Sequence, residues 1–437
     1  MNEEIKLEFP KNNVLSDSYR AQLVIEEIGY KTLYFHFRKV NDPRMPQGKR
    51  HSLIHIFILT IIGILRGHSD FDNMVDDLKY DEEELTEKLG LKHGIPSHDT
   101  FSRVFRIIDA REFMHAFIDW TYSFVSLVNE HVAIDGKAVR AATEKINSQN
   151  TPYLVNSFVC GQKVVLGQLL IDKKTNEITA IPELIELLDL EGCTVTIDAI
   201  GCQRKICELL HDKNADFVLP AKENQKLMHE AIELFVRDAY NEWLKEEKRV
   251  KNHRVRNTNA LPYHKKVDVF HEVEPKAEHG REPGDRMYIV VDDTSMIDGD
   301  LWPHVKAVAY TKRIRTVIKR NSKGEDVSGT SIEYNTWILS RKMTAKEFAV
   351  YAKGHWAIEN SLHYVTDTVM REDWSTARKD SAIENLGNMR KICYNFMNLD
   401  PAVKGKSKKK AFNYYRHNID AVIKLIFFEI PKSEHSE

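Results

Sequence analysis

Three acidic residues occupy positions where carboxylates could carry out chemistry. Asp135 ends the apolar segment Val-Ala-Ile-Asp, Asp198 ends a second such segment, Val-Thr-Ile-Asp, and Glu359 lies within His-Trp-Ala-Ile-Glu-Asn-Ser-Leu-His. A carboxylate at the end of a buried strand costs free energy unless it is paired or binds a metal ion. Mg²⁺ prefers such oxygen ligands. The spacing alone leaves a metal site and ordinary capped or ion-paired acids as open alternatives.

Three carboxylates can hold two Mg²⁺ ions roughly 4 Å apart, an arrangement that activates one oxygen of a phosphodiester reaction and stabilises the other. The neighbours of Asp135 fit this interpretation. Gly136 would let a phosphate backbone approach closely. Lys137 follows Asp135 by two residues, so it shares the same strand face and could meet a phosphate.

The segment around Glu359 contains rival ligands. If one helix runs from Ala345 to Met370 and beyond, Asp373 shares the face of Glu359, and Asp367 is a further candidate. His355 and His363 lie four residues before and after Glu359, on the same helical face. They could orient its carboxylate, contact DNA or bind metal, or His363 could simply be buried.

The elements that must position these acids change character along the chain. Residues 20–130 have helical periodicity, whereas strand and helix patterns alternate from His131, which predicts an α/β core. Residues 262–341 are rich in β patterns, and helices follow. We therefore expect the domains 1–128 (helical), 129–243 (first part of the core), 244–341 (β-rich insertion), 342–400 (second part of the core) and 401–437 (basic tail).

Composition excludes several classes of protein. The 437 residues are 42% hydrophobic and carry a net charge of −2, which indicates a globular chain without a global attraction to nucleic acid or membrane. Five cysteines without a C-x-x-C pair argue against a disulfide framework or a zinc ribbon. The apolar segment Leu53–Leu65 is too short to cross a bilayer and predicts a buried helix. We expect a cytoplasmic protein that does not enter a membrane.

Local charge suggests two DNA-binding segments. Ser97 can cap a helix that follows the breaker Gly-Ile-Pro and presents Arg103 and Arg106 outward, as in a DNA-reading unit, although an ordinary helical bundle has the same pattern. The basic run 404–410 precedes aromatic residues and could bind a phosphate backbone, or it could be a solvated linker.

The combination and order of several motifs resemble the DDE transposases of bacterial insertion sequences, in the branch of the H-repeat-associated proteins. The resemblance covers about residues 35–400. Its N-terminal motifs, Asp-Pro-Arg at 42–44 and Pro-Ser-His-Asp-Thr-Phe at 96–101, are similar to the DDE-associated domain of that branch. The remaining motifs are Ala-Ile-Asp-Gly-Lys at 133–137, Thr-Ile-Asp-Ala-Ile-Gly-Cys-Gln at 196–203, Leu-Pro-Ala-Lys-Glu-Asn-Gln at 219–225, His-Gly-Arg at 279–281 and the segment around Glu359.

The resemblance implies an RNase H-like catalytic core with a β-rich insertion and an all-helical, DNA-binding N-terminal domain. It assigns Asp135, Asp198 and Glu359 as catalytic ligands of two Mg²⁺ ions, for which Mn²⁺ could substitute. Activated water would cut the phosphodiester at an element end, and the resulting 3′-OH would attack target DNA. The implied partners are the terminal inverted repeats and target DNA, held by a homodimer associated with the nucleoid.

We also expect phosphate or base contacts from residues near the acids. These candidates are Lys137, Lys222, Asn224, Arg281, His355 and Trp356. Relatives outside this branch carry a Tyr-x2-Arg-x3-Glu-x6-Lys signature. Here its Tyr, Arg and Lys positions are Ala352 (with Tyr351 beside it), His355 and Thr366, so the sequence leaves open whether a hairpin intermediate forms. Two alternatives stay open: a DNA-binding remnant that no longer transposes, and a stand-alone nuclease of the same fold.

Overall fold

The structure is a computed structural model that describes residues 32–139, 151–171, 177–252, 261–273, 284–320, 326–375 and 380–427. It is a mixed α/β protein built on one large sheet. Helices precede the sheet, connect its strands and follow it.

Six α-helices between residues 32 and 139, the first range that the structure describes, form the N-terminal layer. The helix Leu53–Leu65 is buried along nearly its whole length, as its apolar sequence predicts. The stretch Pro46–Leu65 has the length and hydropathy of a membrane span, but 61% of its most apolar window is buried inside the protein. One predicted helix, Phe71–Leu89, is two, because the chain turns at Asp81. The helices are α1 (Leu33–Phe37), α2 (Leu53–Leu65), α3 (Phe71–Tyr80), α4 (Glu82–Leu89), α5 (His98–Ile107) and α6 (Ala110–Tyr122).

In the described part of the chain, nine strands form one mixed sheet in the order β3-β2-β1-β4-β5-β9-β8-β7-β6. β1 pairs antiparallel with β2 and parallel with β4, and β4 pairs parallel with β5. Parallel strands buried on both faces read as apolar runs, which explains the sequences of β1 and β4. The first strands and their helices are β1 (His131–Ala138), β2 (Tyr153–Val159), β3 (Val164–Ile171), α7 (Glu177–Leu187), β4 (Thr194–Ile197), α8 (Arg204–Asp212), β5 (Asp216–Ala221) and α9 (Lys226–Lys251).

The predicted β-rich insertion joins this same sheet. Two predicted strands at 305–319 are one long strand, and the end of β9 pairs with both β5 and β8. The pairs Val218 to Leu339 and Ala307 to Leu339 show this double role. The elements are α10 (Pro262–Lys266), β6 (Val267–Val273), β7 (Asp285–Val291), β8 (Ala307–Arg320) and β9 (Asp326–Leu339).

The C-terminal elements return to the first half of the chain. The Asn395 side chain on α12 bonds both the N–H and the C=O of Val165, which docks this helix on β3. The basic run continues into a helix, α13, whose Ala411, Phe412 and Tyr415 are buried. These elements are α11 (Ala345–Gly354), α12 (Ala382–Leu399), α13 (Lys408–Arg416) and α14 (Ile419–Phe427), with two π-helical segments, Ile358–His363 and Val365–Val369, between α11 and α12.

Candidate active site

Asp135 and Asp198 lie side by side because their strands are parallel neighbours. Ile134 of β1 pairs with Ile197 of β4, and each acid is the next residue. Asp198 accepts a hydrogen bond from the Ile200 N–H at 3.0 Å and so caps the short turn Ala199–Gly201. The carboxyl ends of parallel strands meet at one edge of a sheet, which brings both carboxylates to the same place.

Glu359 reaches this edge from a π-helical segment, not from a continuous α-helix. The α-helix ends at Gly354, and the segment Ile358–His363 contacts β1. The expected continuous helix to Met370 is therefore wrong in its geometry. Arg371 then adopts φ 53° and a 3₁₀ turn, Glu372–Trp374, follows, so Asp373 does not share a helical face with Glu359.

Electrostatic interaction joins the three acids. The pKa of Asp135 is raised to about 8, first by burial and then by the negative charges of Asp198 and Glu359. Asp367, the rival acid on the same stretch of chain, contacts the Lys137 ammonium instead. Of these two residues, Glu359 is the one whose charge acts on Asp135.

A fourth carboxylate, which the sequence analysis did not select, lies beside the site. Glu177 begins α7, is buried and also raises the pKa of Asp135. Its side chain occupies the space that a Cβ at position 136 would need, so Gly136 makes room for a protein side chain. No sequence pattern distinguishes Glu177 from other acids at the start of a helix.

His363 lies against Asp135, with its Nδ1 atom 3.6 Å from Oδ2. Burial, followed by the nearby charges of Lys137 and Lys391, holds the pKa of His363 well below its ordinary value. The imidazole is therefore neutral, and it can orient the Asp135 carboxyl without forming an ion pair.

Lys137 does not face solvent, contrary to its predicted phosphate contact. It is buried, and its Nζ atom bonds Glu372 Oε2 at 2.7 Å and Thr366 Oγ1 at 3.1 Å in addition to Asp367. Glu372 is also held by Lys391 at 2.6 Å. Burial lowers the pKa of Lys391 to about 8, whereas the positive charges of Lys137 and Lys391 hold the pKa of Glu372 far below its ordinary value despite burial.

His355 and Trp356, both predicted to contact DNA, point in different directions. His355 is buried and lies 3.1 Å from the Thr196 hydroxyl, so it does not present a surface to DNA. Trp356 is 51% exposed and lines a cleft of about 460 Å³. The cleft lies between the insertion and the segment that carries Glu359. Its other lining residues include Arg286, Lys312, Arg313, Lys353 and Asn360.

The remaining predicted contacts are partly near the site. Lys222 and Asn224 are exposed, and the Asn224 side chain donates to the Ala199 carbonyl at 2.5 Å, next to the Asp198 turn. Arg103 and Arg106 are exposed on α5, away from the acids in sequence, and Arg106 pairs with Asp380 at 2.8 Å. Arg281 lies outside the described residues.

The acids suit a hard divalent cation by their chemistry. Among the residues that the structure describes, no three His, Cys, Asp or Glu side chains converge on one point as they would around a bound ion. The donors are nevertheless carboxylates, and the pKa of Asp135 is raised first by burial and then by the negative charges of Asp198 and Glu359. A cation between them would remove that repulsion, and oxygen donors match Mg²⁺ or Mn²⁺ better than softer metals.

Comparison with known families gives two matches in tandem. Residues 34–121 match the family described as DDE_Tnp_1-associated, and residues 127–396 match the family described as Transposase DDE domain. The boundary between the matches falls between α6 and β1. All three acids lie inside the second match.

Full-length relatives carry related descriptions. "Putative transposase YncI" of Escherichia coli O157:H7 is 34% identical over 84% of this chain and 88% of its own length. "H repeat-associated putative transposase YhhI" of Escherichia coli K12 is 29% identical over 87% of this chain and 94% of its own. A solved structure of a piggyBac transposase synaptic complex with hairpin DNA superimposes with a TM-score of 0.41 at 11% identity, covering 94% of this chain and 80% of that one. A TM-score at that level does not establish a common fold.

Proposed function

This chain belongs to the DDE transposase family and is a DNA transposase, and we propose that Asp135, Asp198 and Glu359 are its catalytic acids. The observation that carries this assignment is that the negative charges of Asp198 and Glu359 act on Asp135 and, together with the larger effect of burial, raise its pKa to about 8. The assignment agrees with the parallel pairing of β1 and β4 and with the contact between β1 and the Glu359 segment.

We propose that these carboxylates hold divalent metal, Mg²⁺ by preference. When bound, two such ions would supply an activated oxygen for attack on the phosphodiester and stabilise the oxygen that leaves. The protein side chains do the positioning. The Ile200 N–H fixes the Asp198 carboxylate, and neutral His363 lies against the Asp135 carboxyl. Catalysis by such a site is mainly orientation and charge neutralisation.

The cleft beside Trp356 is the proposed path of the DNA next to the cut. It combines an exposed indole, on which a base can stack, with Arg286, Lys312 and Arg313, which can meet phosphates. The fourth basic side chain, Lys353, is bonded to Glu272 at 2.7 Å. Asn224 bonds the Ala199 carbonyl next to Asp198, and the charge of Lys222 acts on His355, four residues before Glu359. Lys137 is excluded from this surface because it is buried.

We infer an RNase H-like core from the strand order. The part of the sheet that carries Asp135 and Asp198 has the order β3-β2-β1-β4-β5. Its first three strands pair antiparallel, and β4 and β5 continue parallel to β1. The helical layer α1–α6 would bind the terminal repeats. Since transposition joins two element ends to one target, we expect a homodimer in the complex with DNA, acting at the nucleoid.

Cleavage and strand transfer on defined DNA test this function. The purified chain is incubated with a labelled fragment carrying its native terminal repeat, a target plasmid and Mg²⁺ or Mn²⁺. Glu359→Gln is compared with Glu186→Gln, which makes the same change at an exposed acid on α7. We expect nicked ends and plasmid junctions with the wild type and Glu186→Gln, and a loss of at least about 10³-fold with Glu359→Gln.

Each other outcome has a distinct meaning. Cleavage by Glu359→Gln at the wild-type rate would overturn the assignment of the third acid. Cleavage without junctions would identify a nuclease that does not join ends. A wild-type protein that shifts the fragment on a gel, but never cuts it with either metal, would be a binding remnant.

A further inference from the structure

Three buried polar side chains form a hydrogen-bonded chain directly behind the acids. The His131 Nε2 atom lies 2.7 Å from Thr196 Oγ1, and the His355 Nδ1 atom lies 3.1 Å from the same oxygen. Thr196 is fully buried, and both imidazoles are nearly so. In a buried environment each such bond matters, because a donor or acceptor left without a partner costs free energy.

Each member of this chain belongs to a different acid-bearing element. His131 opens β1 four residues before Asp135, and Thr196 lies on β4 two residues before Asp198. His355 follows the end of α11, four residues before Glu359. These hydrogen bonds therefore connect the three elements whose relative positions determine how far apart the three carboxylates lie.

The bonding leaves little freedom at the centre of the chain. A threonine hydroxyl has one proton, so at least one of the two imidazoles must donate its N–H to Thr196. Burial lowers the pKa values of His131 to about 3 and of His355 to about 4, so both rings are neutral at physiological pH. In a neutral imidazole the nitrogen that faces Thr196 can donate or accept, depending on the tautomer, so one ring can donate to the hydroxyl while the other accepts its proton.

The end of α11 is shaped to admit the His131 ring. A Cβ at position 354 would lie 2.6 Å from His131 Nδ1, so only glycine lets the helix end approach this closely. Tyr351, one turn earlier on α11, meets the same ring edge to face at 5.3 Å between centroids. The helix is thus packed on His131 as well as bonded to it through Thr196.

We propose that His131, Thr196 and His355 are positioning residues that set the spacing of Asp135, Asp198 and Glu359 for metal binding. The proposal rests on the catalytic assignment of those acids. None of the three acts on DNA, and their effect passes through the placement of the carboxylates. Removal of groups that orient metal ligands typically costs about ten- to a hundredfold in metal affinity or activity.

Substitution of the central hydroxyl tests this proposal in the full-length protein. Thr196→Val keeps the shape and removes both bonds, whereas Thr196→Ser keeps the hydroxyl. Thr194→Val removes a buried hydroxyl from the same strand that takes no part in the His131–Thr196–His355 hydrogen bonds, and it serves as the matched control. For each variant we would measure the Mg²⁺ concentration that gives half-maximal cleavage, and the shift in melting temperature caused by Mg²⁺ without DNA.

We expect Thr196→Val to need at least about tenfold more Mg²⁺ and to lose most of the Mg²⁺-induced melting shift. Thr196→Ser and Thr194→Val should stay within about threefold of the wild type. Equal Mg²⁺ dependence of Thr196→Val and Thr194→Val, or failure of Thr196→Ser to restore it, would overturn the proposal. The catalytic assignment fails separately, by cleavage with Glu359→Gln.

A second pair keeps the proposal testable if Thr196→Val does not fold. The amide of His355→Asn can replace the Nδ1 contact, whereas His355→Leu cannot. We expect the Asn variant to need less Mg²⁺ than the Leu variant by about tenfold. Equal requirements in the two variants would contradict a positioning role.

Discussion

Lys137 and Glu372 form a buried ion pair between residues 235 positions apart, with 2.7 Å between Nζ and Oε2. The pair ties the end of β1 to the chain that follows the Glu359 segment, and Lys391 of α12 completes it. Lys137 also donates to Thr366, which lies at the lysine position of the Tyr-x2-Arg-x3-Glu-x6-Lys pattern. The Lys137 ammonium, which the sequence suggested as a phosphate contact, instead bonds groups inside the protein next to the candidate site.

Lys137→Met should therefore impair folding before it impairs DNA binding. Removing one partner of a buried ion pair costs about 3 to 5 kcal/mol, because the other charges stay buried without compensation. We expect a clearly lower melting temperature by calorimetry. The exposed Lys222→Met should leave the melting temperature unchanged and weaken DNA binding. A Lys137→Met protein with wild-type melting and weaker DNA binding would restore the phosphate-contact interpretation.

Asp135→Asn should stabilise the metal-free protein in a pH-dependent way. The folded-state pKa of about 8 lies above the ordinary value of 3.8, so the folded chain binds this proton more tightly than the unfolded chain. Stability is then lost as pH rises from about 4 to about 8. Asn carries no charge, so the melting temperature of Asp135→Asn should exceed that of the wild type by an amount that grows over this interval. We expect a difference of several degrees at pH 8, measured in EDTA.

The exposed Asp76→Asn is the control for that series, and its melting temperature should follow the wild type at every pH. Addition of Mg²⁺ should stabilise the wild type and leave Asp135→Asn unchanged. An Asn advantage that is the same at pH 5 and pH 8 would contradict charge repulsion as its cause.

Trp356→Ala should weaken the binding of DNA that carries the terminal repeat. Stacking of one base on an aromatic side chain contributes about 1 to 3 kcal/mol, so we expect at least about a fivefold rise in Kd by fluorescence anisotropy. Trp374→Ala, at an indole that is 73% exposed, is the matched control. Equal Kd values for the two variants would remove the cleft from the DNA path.

Substitution of the exposed lysines of α13 tests whether this helix binds DNA or is only solvated. Lys409→Gln with Lys410→Gln should reduce the slope of log Kd against log salt concentration by about two if both meet phosphates. The pair Lys79→Gln and Lys92→Gln, in the acidic helical layer, should leave the slope unchanged. An unchanged slope for the α13 pair as well would mean that this helix serves only to cover α2.

The sequence predicted those parts of the site that depend on local pattern. The apolar runs before Asp135 and Asp198 are buried parallel strands, and such strands must bring their end residues together. Strand periodicity also gave Lys137 the correct face. Its burial could not be predicted, because the groups that cover it, Asp367 and Glu372, come from the far end of the chain.

A further error concerns the helix that carries Glu359, and the sequence also does not decide how the β-rich insertion packs. Helical periodicity continues past Gly354, so nothing local predicts that the helix widens into π turns at Ile358. Similarly, β patterns at 262–341 do not state which sheet they join. The edge of β5 accepts the end of β9, and this single pairing makes the insertion continuous with the core.

The pairing of β9 has a consequence for how such proteins vary. β9 is shared between two roles: its last residues, 336–339, complete the core, and its first residues, 326–331, pair within the described strands only with 315–320 of β8. Because the ribbon lies beyond the core residues on both strands, it can lengthen or shorten by the same number of residues on each strand without changing which face any core residue presents. The length of this outer ribbon can therefore change without altering the strand pairs that carry the candidate catalytic acids.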